Sequence, residues 1–110
     1  MDASTLYLET LSQLEATELS MTSPAGDARI QAAEPSERQR AVRLRLDVHE
    51  ARLSLGNATL AAIADKLKTN EVALVAGTAA VKASLNDLNN LAEILNTVST
   101  LVGTVADIVK

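Results

Sequence analysis

This chain reads as all-α: a long antiparallel helical hairpin plus a short N-terminal helix, forming a bundle completed by oligomerisation. Three observations lead there. Tyr7 is the only aromatic residue, so Leu, Val, Ile and Ala must fill the core; side chains of that size suit closely packed helices better than a β-sandwich. Beyond Pro35 the chain has no proline. Its apolar residues there recur at heptad spacing.

The N-terminal stretch STLYLETLSQLEATELS, Ser4 to Ser20, sets Leu8, Leu11 and Leu14 at helical spacing beside Tyr7. Asp2 or Ser4 can cap it. MTSPAGDA then breaks the helix, since Pro24 and Gly26 are punctuation. Residues 1–35 are thus a short acidic helix and a linker, in which Arg29 to Pro35 has room for one helical turn. The first long helix is expected over 36–69, with Ser36 as N-cap and Gln39 completing a capping box. Gly56-Asn57 is its one weak point.

VRLRLDVH, Val42 to His49, alternates like a half-buried strand. No turn chemistry follows it, because HEARLSL has no Gly, Pro or Asn. A helix accounts for more residues. Val42, Leu46, His49, Leu53, Gly56, Leu60, Ile63 and Leu67 form one heptad stripe. Leu44, Val48, Ala51, Leu55, Ala58 and Ala62 form another. A helix with two apolar seams touches two partners.

Thr69 to Glu71 is the expected corner. The second long helix follows over 71–110, traced by Val81, Leu85, Leu88, Leu95, Val102 and Val109. Leu91, Ile94, Val98, Leu101, Val105 and Ile108 widen its apolar face. Arms of about 33 and about 40 residues reach roughly 50 and 60 Å at the rise of an α-helix. Antiparallel pairing about the corner sets Leu53 against Leu88, Leu46 against Leu95 and Val42 against Val98. His49 then falls at a core position near Ala92 and Glu93, where a buried polar group fixes register or switches assembly with pH.

The hairpin leaves two apolar surfaces uncovered: the seam of Leu44, Val48 and Leu55, and the face from Leu91 to Val109. Surfaces of that extent mark interfaces. The expectation is a homo-oligomer, a dimer in the simplest case, with other helical proteins as further partners. The charge distribution adds a docking contact. Met1 to Pro35 carries six acids and one base, while Ser36 to Asn70 carries seven bases and four acids. The acidic arm can bring Glu9, Glu15 and Glu18 near Arg45 and Arg52.

Catalytic chemistry is sparse. The chain has no cysteine and one histidine, and no Gly-rich phosphate loop. Asp47 and Glu50 read as a solvated face beside Arg43. No cofactor, metal or catalytic residue is assigned. Arg38, Arg45 and Arg52 make a basic ridge, but the net charge of −4 and the lack of stacking aromatics make nucleic acid an unfavoured partner. Asn86, Asn89, Asn90 and Asn96 read as the polar face of the second long helix.

Function is therefore expected to be non-enzymatic, through coiled-coil-like helix packing. The N-terminus lacks the pattern of a cleaved export signal, and a cytoplasmic location is the expectation, with export by another route left open. The alternative is a membrane-active protein that inserts the stretch Leu91 to Val109; Glu93, Asn96 and Asp107 count against it. In outline the chain resembles the small exported helix-turn-helix proteins of bacterial secretion systems. The resemblance is architectural. Thr69-Asn70-Glu71 stands where one such group has Trp-x-Gly, the Pro-x-x-Pro corner of needle subunits is absent, and no residue carries over.

Overall fold

The computed structural model describes every residue from Met1 to Lys110. It contains six helices and no strand: α1 Ala3–Thr22, α2 Pro24–Gln31, α3 Pro35–Asn57, α4 Leu60–Thr69, α5 Glu71–Ser84 and α6 Leu91–Val109. VRLRLDVH lies inside α3, so its alternation is two interleaved helical seams.

The all-α class holds, but the long hairpin does not. The molecule measures 42 × 22 × 20 Å, too short for arms of roughly 50–60 Å. Each expected arm is cut in two. The first breaks at Ala58, whose extended backbone (ψ 142°) follows Gly56-Asn57, a pair of poor helix formers. The second breaks over Leu85–Asn90. There the Asp87 carboxylate accepts from the Asn89 N–H at 3.1 Å, and the Asn90 side chain accepts from the Glu93 N–H at 3.3 Å. Asn86, Asn89 and Asn90 therefore form a turn and a helix cap rather than a polar helix face. Asn96 does lie on a helix, where its side chain accepts from Arg40 at 2.9 Å.

The N-terminal region is more helical than expected. Asp2 caps α1 by accepting from the Thr5 N–H at 2.7 Å. The inward residues of α1 are Leu6, Thr10, Gln13, Leu14, Thr17 and Met21, while Leu8 faces solvent and Leu11 is half-buried. Pro24 does not end structure but opens α2, one residue after the Ser23 cap, where its missing N–H has no cost. Pro35 opens α3 in the same way, and Ser36 makes no capping bond. The corner at Asn70 separates α4 from α5, with Asn70 in a near-helical conformation (φ −100°, ψ 14°).

Four helices form the body, in the spatial order α1, α3, α6, α5 around a ring. α1 runs antiparallel to α3: Glu18 meets His49 and Arg52, while Tyr7 reaches the Gly56 carbonyl. α3 and α6 run parallel, since Arg40 meets Asn96 near their starts and Ser54 approaches Val109 near their ends. α5 and α6 run antiparallel, tied by Ser84 and Thr97 at 2.8 Å. α4 carries the chain across one end, against α1, α5 and α6. At the other end α2 and the 85–90 turn close over Met21 and Ile30. The expected pairs of Leu46 with Leu95 and Leu53 with Leu88 do not form, because the α3 partner is parallel and meets a different face.

One cluster of 20 buried apolar residues fills the interior. Each fully buried Leu, Ile or Val contributes about 1.5–3 kcal/mol by leaving water. The buried polar side chains are satisfied: Thr17 donates to the Gln13 carbonyl at 2.7 Å, and no buried side-chain polar atom lacks a partner.

Candidate interaction surface

The two seams of α3 have exchanged roles. Leu44, Val48, Ala51 and Leu55 face inward and are buried. Val42, Leu46 and Leu53 face outward, with 46%, 53% and 44% of their surface exposed. At about 100° per residue the two sets lie on nearly opposite sides of the helix. The buried seam is apolar throughout, whereas the outward one contains His49 and Gly56. That difference was the available signal for which seam faces water.

The residues that sequence reasoning placed on external interfaces are therefore covered within the chain. Leu44, Val48 and Leu55 of α3, and Leu91, Ile94, Val98, Leu101, Val105 and Ile108 of α6, all belong to the single core. α1 and α6 cover the α3 seam, and α3 and α5 cover the α6 face, so neither apolar surface is left over. The exposed large apolar side chains are Val42, Leu46 and Leu53 on α3, Leu8 and Leu19 on α1, Val72 and Val75 on α5, and Met1; only on α3 do three of them follow one helical seam.

His49 does not sit in a core near Ala92 and Glu93. It lies half-exposed on the boundary of α1 and α3, with Nδ1 at 2.6 Å from Glu18 Oε1. A carboxylate can only accept, so Nδ1 carries the donated proton. Arg52 donates from Nε to the other Glu18 oxygen. Glu18 thus clamps two residues of α3. The Arg52 hydrogen bond first, and the His49 contact after it, hold its carboxyl below the ordinary glutamate value of 4.5, against the opposing effect of burial. Arg45 pairs with Asp27 of α2 at 3.0 Å. The acidic N-terminal segment therefore docks on the basic helix through Glu18 and Asp27, whereas Glu9 and Glu15 form no ion pair with it.

The opposite flank of the strip is unlike this one. Arg43 has 81% of its side chain exposed and only a 3.9 Å contact to Asp47. Glu50 is exposed and makes no ion pair. A ribbon of three large apolar side chains thus has neutralised charges along its α1 edge, and along its α6 edge a loosely paired Arg43 and an unpaired Glu50. Nowhere do three His, Asp or Glu side chains converge as a metal site would need. A scan against protein-family models finds no match to this chain, and no curated protein or solved structure is significantly similar to it.

Proposed function

We propose that the protein is a non-enzymatic helical interaction module whose working surface is the outer face of α3. The carrying observation is the ribbon of Val42, Leu46 and Leu53, spaced as a coiled-coil seam and held in water by a bundle whose own core is already closed. Such a ribbon fits the apolar face of a second helix. Nucleic acid fits poorly, because Arg45 and Arg52 already hold carboxylates. The test is methyl NMR of the protein during titration with a synthetic amphipathic helix carrying Leu and Ile at its seam positions. Val42, Leu46 and Leu53 methyls shift, and Leu46→Glu removes the shifts. Methyls that stay fixed, or shifts confined to core residues, refute the reading.

A second reading has its own observation. α6 is long and apolar enough to cross a membrane by length and composition. Its seven buried residues are packed on the bundle, so insertion requires α6 to leave it. Dye release from liposomes tests this membrane-active reading. Absence of release at every lipid charge and pH removes it.

A further inference from the structure

We propose that the α3 ribbon docks on the same ribbon of a second copy, the two α3 helices running antiparallel about a two-fold axis. This rests on the reading of α3 as the working surface and specifies the occupant. Three features of the ribbon select it.

The first is apolar register. Val42, Leu46, His49 and Leu53 are spaced 4-3-4, a pattern that reads the same in both directions. In an antiparallel pair Val42 of each copy meets Leu53 of the other, and Leu46 meets His49. The imidazole is held edge-on by Glu18, which leaves its faces for the Leu46 methyls.

The second is charge. In an antiparallel seam each flank faces the same flank of the partner. On the α6 side this sets Arg43 of each copy opposite Glu50 of the other, and the symmetry makes two such pairs. Arg43 has only its 3.9 Å contact to Asp47 and Glu50 has no ion pair in the single chain, so both charges are available. On the α1 side Arg45 faces Arg52, but Asp27 and Glu18 already neutralise them. A parallel pair reverses this balance. It sets Arg43 against Arg38 and His49 against His49, and offers Glu50 only the arginine that Asp27 holds.

The third is Leu19. It lines the surface depression formed with Glu15, Glu18, Thr22 and Arg52. Glu18 contacts His49 and Arg52, so Leu19 stands level with the middle of the ribbon. The two-fold axis passes through that level, between Leu46 and His49. Leu19 of each copy therefore comes to the axis on the α1 side and widens the apolar contact.

The ribbon spans about 18 Å of helix at 1.5 Å per residue. That places the contact at the small end of interface sizes, where association is weak.

Sedimentation equilibrium of the full chain from about 10 µM to about 1 mM covers the range of a weak dimer. The expected result is a mass that rises from 11.6 kDa towards twice that figure. Leu46→Glu stays monomeric with unchanged helix content. Arg43→Glu and Glu50→Arg each weaken association about tenfold, from two reversed exposed pairs. An equimolar mixture of those two variants regains wild-type affinity. In the mixed pair one copy is acidic at both flanking positions and the other basic at both, so an acid faces a base at each of the two contacts. Only the antiparallel register gives this rescue. A wild-type chain that remains monomeric throughout overturns the proposal, as does a mixture no tighter than either variant alone. If the wild-type chain is monomeric yet binds the synthetic helix through Leu46, self-docking fails while the interaction reading stands. If neither occurs, both fail.

Discussion

Gly26→Ala should destabilise this protein although alanine is the better helix former. Gly26 lies in α2 with ordinary right-handed backbone, so propensity alone favours alanine by about 1 kcal/mol. The tertiary setting opposes it. A Cβ built on Gly26 would stand 2.1 Å from the Ser20 carbonyl oxygen and 3.1 Å from its carbon. These are backbone atoms at the end of α1, so no side chain can rotate away. α2 must lift, and with it Ile30, which is fully buried beside Met21, Leu91 and Ile94. Overpacking of this kind costs about 1–3 kcal/mol, and the propensity gain offsets only part of it. The expected net loss is up to about 2 kcal/mol, a fall in melting temperature of up to about 8 °C for a domain of this size. Gly103→Ala supplies the internal control, since its Cβ would meet nothing within 4 Å. That change should raise stability by about 0.5–1 kcal/mol. Urea unfolding followed by circular dichroism measures both. If Gly26→Ala raises the midpoint as Gly103→Ala does, the close approach of α2 to α1 is wrong, and so is the packing of that end of the bundle.

Two further outcomes follow from the same structure. Leu55→Ala removes a fully buried side chain and should cost about 2–5 kcal/mol. Leu53→Ala, two residues away and outward, should stay within about 0.5 kcal/mol in dilute solution by the same urea assay. The heptad pairing expected from sequence would have given Leu53 the larger cost. Acid sensitivity should depend on Glu18. Its carboxyl titrates lower in the folded chain than its ordinary 4.5, so its stabilisation is fully present above that value. It is lost as pH falls through the depressed folded value, when the Arg52 and His49 contacts break. Stability measured down this window should fall less steeply in Glu18→Gln. Parallel slopes in the two proteins would show that the Glu18 clamp contributes nothing.

The candidate surface was half legible. Both α3 seams can be read from the sequence, because heptad spacing depends only on helix geometry. Their orientation cannot be read from spacing, since Val42-Leu46-Leu53 and Leu44-Val48-Leu55 are equally periodic. Polarity was the better guide: a seam holding His49 is the one that water tolerates. The charge docking was legible too, for an acidic first segment beside a basic helix has few other places to go. Glu18 and Asp27 were selected from six acids by the antiparallel fit of α1 and the position of α2.

Local sequence was enough to establish that this protein is helical, that α1 is capped at Asp2 or Ser4, that VRLRLDVH is helix, and that the chain turns near Asn70. These follow from capping bonds and helical periodicity, which act within a few residues. Only the packed fold settled that Gly56-Asn57 and Asn86–Asn90 interrupt helices, that Pro24 begins one, and that α6 runs parallel to α3. A weak helix former ends a helix only where bending buries more apolar surface than the lost hydrogen bonds cost. Here bending does so: with the second arm broken, α6 turns back beside α3 and, together with α1, covers Leu44, Val48 and Leu55, which two straight arms would have left in water.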